Sequence, residues 1–208
     1  MKIPRRMLFV SLLSLLVFVF LLFEISSNGF LINWDLFLNS WISQINHSFF
    51  AEISKIIGVL FDTINLVVLS LLISVFLWLG YLKKQATFFG FTMILTGGLI
   101  FVMKELVQRV RPINALVSDT SFAFPSGHAT VAVVFFGLLI YLALANNRPK
   151  SLKLNTIIFS CFMILLISFT RLYLNLHWFT DVLGGLALGL FILTSSIILR
   201  RTLNRKFS

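Results

Sequence analysis

Residues His128–Ala145 read HATVAVVFFGLLIYLALA, a run with one imidazole at its start and no charged group after it. Its eighteen residues approach the ~20 that a helix needs to cross the ~30 Å hydrocarbon layer of a bilayer. Working outward from it, five more runs of 16–19 residues have the same character: Met7–Phe23, Asn65–Leu82, Thr87–Val102, Leu154–Phe169 and Asp181–Leu199. Short charged clusters separate them, the pattern of membrane-spanning helices. With 59% hydrophobic residues, 12% charged residues and a mean hydropathy of +1.00, the chain has too little polar surface to cover a soluble core. The expected fold is therefore all-α: one membrane-embedded domain over residues 1–208, built as a bundle of six transmembrane helices.

The net charge of +10 does not indicate nucleic acid, because no basic stripe interleaves with aromatics on a soluble face. Twelve of the seventeen Lys and Arg residues instead bracket the runs on one side of a six-span arrangement. They are Lys2, Arg5, Arg6, Lys83, Lys84, Arg148, Lys150, Lys153, Arg200, Arg201, Arg205 and Lys206. The positive-inside rule assigns that side, and both termini, to the cytoplasm. All seven acidic residues fall on the opposite side. The first run follows a basic start, but it is too long for the apolar core of a signal peptide and no small-residue cleavage site follows it, so an uncleaved helix is expected. Cys161, the single cysteine, lies inside the fifth run and is read as a packing residue.

Between the first two spans, Trp34, Phe37, Leu38, Trp41, Ile42 and Ile45 recur at helical spacing, with Asn33, Asp35, Asn39, Ser43 and Gln44 between them. This predicts a short amphipathic helix over about residues 33–47, lying at the membrane interface as a belt or as a gate for lipid entry. A second helical stretch, about Phe49 to Ile57, is expected to lead through Gly58 into the next span. Gly97–Gly98 and Gly185-x-x-x-Gly189 lie within spans and are read as close-packing positions.

Ionisable groups near the ends of spans are functional candidates. Three clusters map to one outer face. KELVQRVRP holds Lys104 and Arg111–Pro112; FPSGH covers Phe124–His128; TRLYLNLHWFTD holds Thr170, Arg171, His177 and Asp181. Lys104, Arg111 and Arg171 supply three cations for a tetrahedral oxyanion. Ser126 and Gly127 stand at the start of a helix, whose first turn offers unpaired N–H groups. His177 and Asp181 are four apart, so a helix starting near His177 lets the carboxylate take the Nδ1 proton and leaves Nε2 as a nucleophile. His128 remains to protonate a departing oxygen. His47 and Arg109 fit no part of this set and are read as surface residues.

The three clusters resemble the KxxxxxxRP, PSGH and SRxxxxxHxxxD signatures of the type-2 phosphatidic acid phosphatase superfamily, which includes membrane lipid phosphate phosphatases and shares its pocket with vanadium haloperoxidases. Thr170 stands where the family usually has Ser. The resemblance covers 104–181 in its motifs and most of the chain in its layout. It implies a site at the outer membrane–water boundary, with His177 as the attacking residue, Asp181 behind it and His128 as acid and then base. Lys104, Arg111, Ser126, Gly127 and Arg171 would hold the phosphate. No metal or other cofactor is expected, since the one nearby carboxylate is committed to a histidine and leaves too few oxygen ligands for Mg²⁺. The expected partners are bilayer lipids and a lipid substrate: phosphatidylglycerophosphate first, with phosphatidic acid in the same class and undecaprenyl diphosphate, a polyprenyl diphosphate, as the alternative. Haloperoxidase or non-catalytic transport activity is the remote reading.

Overall fold

The computed structural model describes residues 4–45, 47–145 and 149–206; Lys2 and Arg148, two of the basic residues counted above, lie outside them. The described residues form eight helices and no strand. These are α1 (Arg5–Ser26), α2 (Leu31–Gln44), α3 (Ser48–Leu60), α4 (Thr63–Leu79), α5 (Lys83–Val107), α6 (Gly127–Ala145), α7 (Lys150–Tyr173) and α8 (Phe179–Lys206). Five of them are long and apolar enough to cross a membrane alone, and α3 with α4, bent by 42°, is a sixth candidate crossing if the pair forms one broken span. The break falls at Phe61–Asp62 and not at Gly58, because Asp62 caps α4: its carboxylate accepts from the Ile64 N–H at 3.1 Å.

The run that decides the fold is its centre. Every residue of α6 from Ala129 to Leu138 is buried, against α7 and α8 on two sides and α5 and α4 on the others. α1 lies along α8, where Ser11 and Ser195 share a hydroxyl hydrogen bond of 2.9 Å and Phe18 stacks on Phe124 with ring centroids 5.6 Å apart. The outward faces are as apolar as the core: Phe76 and Leu79 on α4 are 76% and 72% exposed. Only a hydrocarbon surrounding accommodates such a surface without penalty.

Helix crossings are set by small residues, but not by all those expected. A Cβ on Gly185 would stand 2.6 Å from the backbone oxygen of Ser126, and one on Gly189 would stand 2.8 Å from that of Thr130, so α6 and α8 touch backbone to backbone. Gly97 and Gly98 face open space, and reading them as packing positions was incorrect. Cys161 is likewise exposed on α7 and packs nothing in the core. Gly185→Ala must push α8 off α6 and is expected to cost about 1–3 kcal/mol, read as a lowered unfolding midpoint in detergent.

α2 is amphipathic as expected, with Trp34, Phe37 and Trp41 exposed outward. Part of its polar stripe is turned onto the protein. Asp35 is 1% exposed, Asn39 donates to the Asn175 side-chain oxygen at 2.8 Å, and Ser43 accepts from Asn175 and Asn114. The helix is pinned by hydrogen bonds to α8 and to the links that precede α6 and α8, and turns its rings to the surroundings.

Candidate active site

Helix ends gather the site. Lys104 sits in the last turn of α5, His128 in the first turn of α6, Arg171 in the last turn of α7, and Asp181 in the first turn of α8. The opposite ends of α1, α6 and α8 meet around Met7, Tyr141 and Arg201, with Lys84 beside Arg200. The motif-bearing ends and the basic ends thus lie at opposite poles of the bundle.

Gln108 ends α5 in a left-handed conformation, φ 50°, and turns the chain so that Arg111 comes back toward the α7–α8 link. Arg111 donates through Nη1 to Leu176 O at 2.6 Å and lies 3.1 Å from His177 Nε2. A guanidinium only donates, so Nε2 is the acceptor nitrogen, its lone pair is in place, and the ring proton resides on Nδ1. His177 is 4% exposed. Burial first, then Arg111, Lys104 and Arg171, hold its pKa well below the ordinary 6.5, so the imidazole is neutral and nucleophilic. Lys104 joins the same cluster, donating to Ser121 Oγ at 2.8 Å, the atom that also accepts from Arg111 Nη2 at 3.0 Å. Asp119 pairs with Arg111 at 2.7 Å, so an incoming phosphate competes with Asp119 for that guanidinium.

The second half of the pocket is built on Arg171, 3% exposed. Thr170 Oγ1 accepts from its Nε at 3.2 Å and its Nη2 at 3.1 Å, and Ser54 O accepts from Nη2 at 3.2 Å. The threonine in place of serine therefore spends its hydroxyl on aiming the arginine. Arg171 Nη1 stands 3.4 Å from His128 Nε2, which also faces Asp62 Oδ1 at 3.3 Å and Gly58 O at 3.4 Å. A cavity of about 510 Å³ opens between His128, Arg171, Gly58, Asp62, Asp119 and Leu176. Ser126 is the N-cap of α6, its carbonyl accepting from Thr130 N at 3.0 Å, and its buried Oγ has no protein hydrogen-bond partner.

A Cβ on Gly58 would collide with the guanidinium of Arg171. Gly58→Ala is expected to displace that group and lower activity about 10–100-fold with the fold intact, checked by initial rates on a short-chain lipid phosphate.

The pairing of His177 with Asp181 differs from expectation. α8 begins at Phe179, so His177 precedes it, and Nδ1 is 3.6 Å from Asp181 Oδ2, outside hydrogen-bond range. The carboxylate is held by other donors: Trp178 N reaches Oδ2 at 2.9 Å, and Arg109 Nη1 binds Oδ1 at 2.5 Å. Arg109 is thus not a surface residue. Its side chain is 11% exposed and it also pairs with Asp35 at 2.7 Å. His47 is exposed, as expected. Besides Arg109 and Asp35, the sequence reading passed over Asp62 and the backbone of α3. Asp62-Thr63 carried a helix-start signal, and Arg109 stood two residues from Arg111; neither spacing disclosed a partner.

The sequence pattern of the PAP2 superfamily matches residues 85–205, more than half of the chain, including Lys104, Arg111, Ser126, His128, Arg171, His177 and Asp181. The chain belongs to the PAP2 superfamily. A curated PAP2 relative, phosphatidylglycerophosphatase B of Bacillus subtilis (strain 168), is 38% identical over 121 residues, 54% of this chain and 59% of that protein. Lipid phosphate phosphatase delta of Arabidopsis thaliana is 32% identical over 74 residues, 35% of this chain and 18% of its own length. The matches thus span under two thirds of either curated relative. A crystal structure described as the first transmembrane PAP2-type phosphatidylglycerolphosphate phosphatase, from Bacillus subtilis, superposes with a TM-score of 0.77 at 25% identity. It covers 94% of this chain and 97% of that one. Eight helices with five or six candidate crossings, and likeness to a transmembrane PAP2 protein, make this chain a multi-pass membrane protein.

Proposed function

We propose that the chain is a membrane lipid phosphatase that removes a terminal phosphate through a phosphohistidine at His177. The observation that carries the reading is His177 Nε2, with its lone pair free of a proton, 3.1 Å from Arg111 among three cations and a neighbouring second histidine. The lipid phosphate displaces Asp119 from Arg111 and is held by Lys104, Arg111, Arg171, Ser126 Oγ and the first-turn N–H groups of α6. Nε2 attacks phosphorus, the P–O bond to the lipid breaks, and His128 gives the departing oxygen a proton. His128 then takes a proton from water, which attacks phosphorus and returns Nε2 to its neutral state. Closing the 3.6 Å gap to Asp181 by about half an ångström makes the hydrogen bond that stabilises the cationic ring.

Phosphatidylglycerophosphate is the favoured substrate, by likeness to relatives named for it. Purified protein with chelator present is expected to release phosphate from this lipid faster than from undecaprenyl diphosphate. No release from either lipid refutes the reading, and preference for the diphosphate reassigns the headgroup. The uneven charge distribution favours the basic pole in the cytoplasm and the site outside. In a Cys161→Ser background, a cysteine at Ser118 is then labelled from outside intact cells and one at Lys150 is protected; the reverse inverts the topology.

A further inference from the structure

Asp181 is 0% exposed, and burying one carboxylate beside a neutral ring requires compensating donors. Two donors fix its plane, Trp178 N on Oδ2 and Arg109 Nη1 on Oδ1, and Oδ2 is the oxygen that faces His177 Nδ1. Arg109 Nη1 also donates to Thr180 Oγ1 at 2.7 Å, and its guanidinium carbon lies 5.6 Å from the centre of the Trp178 ring, the side chain next to His177. Behind Arg109 stands Asp35 of α2. It accepts from Arg109 Nη2 at 2.7 Å, from Thr180 N at 2.9 Å and from Thr180 Oγ1 at 2.6 Å. Both carboxylates and the guanidinium are therefore committed to one another and to the first turn of α8.

We propose that Arg109 and Asp35 are positioning residues for the reaction, a strut from the interfacial helix α2 to the carboxylate behind the nucleophile. The inference rests on His177 being the nucleophile. Charge arithmetic gives the strut its work. Arg109 alone would neutralise Asp181 and leave nothing for a cationic ring. With Asp35 present, two carboxylates and one guanidinium carry a net charge of −1 behind Nδ1. When Nε2 bonds to phosphorus and the P–O bond to the leaving group breaks, the ring keeps its Nδ1 proton and becomes cationic. That charge appears where the uncompensated −1 stands, in a site too buried for water to screen it. Among the described residues no hydrogen bond or ion pair joins Arg109 or Asp35 to Lys104, Arg111 or Arg171, so ground-state phosphate binding is separate from the strut. A staple that merely holds α2 to α8 would instead change the folded yield and leave turnover of the folded protein unaltered.

The test uses the full chain in detergent with short-chain dioctanoyl phosphatidic acid as substrate and inorganic phosphate as product inhibitor. Asp35→Asn brings the net charge behind Nδ1 to zero, and Arg109→Gln removes the guanidinium donor that fixes Asp181 Oδ1 and leaves two buried carboxylates to repel. Each is expected to lower kcat about 100-fold and the rate of phosphoenzyme formation equally. KM and the inhibition constant of phosphate stay within about threefold, since the pocket cations remain. Arg109→Lys, which keeps the charge without the fork, regains about tenfold of the loss. The double variant Asp35→Asn/Arg109→Gln restores the net −1 but lacks the guanidinium on Asp181 Oδ1, so it is no worse than the worse single one, because both substitutions act through the same carboxylate. The strut is overturned if kcat of both single variants stays within about threefold of the parent, or if KM and phosphate inhibition worsen in step with kcat. Failure of both single variants to fold overturns it too, because the network is then a staple. His177→Ala runs beside them. An inactive His177→Ala with unimpaired strut variants sinks the strut alone, whereas an active one sinks the nucleophile and the strut together.

Discussion

His177→Ala is expected to abolish phosphate release from every lipid tested, by about 10⁴-fold or more. The magnitude follows from what the ring alone supplies. His177 Nε2 holds its lone pair among three cations, and Asp181, the buried carboxylate beside it, has both oxygens occupied by Arg109 and Trp178 N. Water could attack a bound phosphate directly, but the cations would have to activate it without an adjacent base other than His128. The residual rate is therefore that of electrostatic stabilisation alone. The variant should keep its fold, because His177 forms no stabilising ion pair at hydrogen-bond distance; its nearest carboxylate contact is 3.6 Å long. Inorganic phosphate should still protect it against heat, since Lys104, Arg111 and Arg171 remain. Loss of thermal protection together with loss of activity would instead point to a collapsed pocket.

The second large effect is conditional on the leaving group. His128→Ala should slow phosphoenzyme formation from a lipid phosphate about 10²–10⁴-fold, because an alkoxide departs poorly without a proton. An aryl phosphate with an acidic phenol needs no such proton, so its first step should be nearly unchanged. Its second step still lacks a base for water. The expected trace is one equivalent of phenol released in a burst, followed by a stall with phosphate retained on the protein. Equal slowing of the first step for both leaving groups would contradict the acid role. The geometry gives His128 its place: it is 14% exposed at the cavity wall, with Asp62 Oδ1 at 3.3 Å to support the protonated ring.

Legibility in the sequence follows from how local each feature is. Five of the six expected crossings were readable because burial in hydrocarbon demands length and apolarity, and both are counted along the chain; the expected span Asn65–Leu82 falls on α4, which is long enough only together with the bent α3. Lys104, Arg111, His128, Arg171 and His177 were readable as a set because their spacing within three short stretches matches a known pattern, and the structure brings their side chains to one pole. The strut was not readable. Arg109 and Asp35 are 74 residues apart, and nothing in the period of α2 separates an aspartate docked on the protein from one in water. The polar stripe of α2 has the composition of a wet face, and only its neighbours in space bury Asp35 within it. Gly97–Gly98 failed for the same reason in reverse: small residues permit close approach without requiring it. The His177–Asp181 spacing of four suggested a shared helical face, but α8 starts two residues after the histidine, and a turn places the two groups instead.

The central claim is a covalent bond between phosphorus and His177 Nε2. Its most direct measurement is rapid alkaline quenching of the His128→Ala protein after mixing with an isotopically labelled aryl phosphate, followed by peptide mass analysis. The account predicts an alkali-stable, acid-labile phosphate on the peptide containing His177, at close to one equivalent and absent from His177→Ala. Label on another residue, or phosphate release at full rate with no protein-bound phosphate at any quench time, contradicts it.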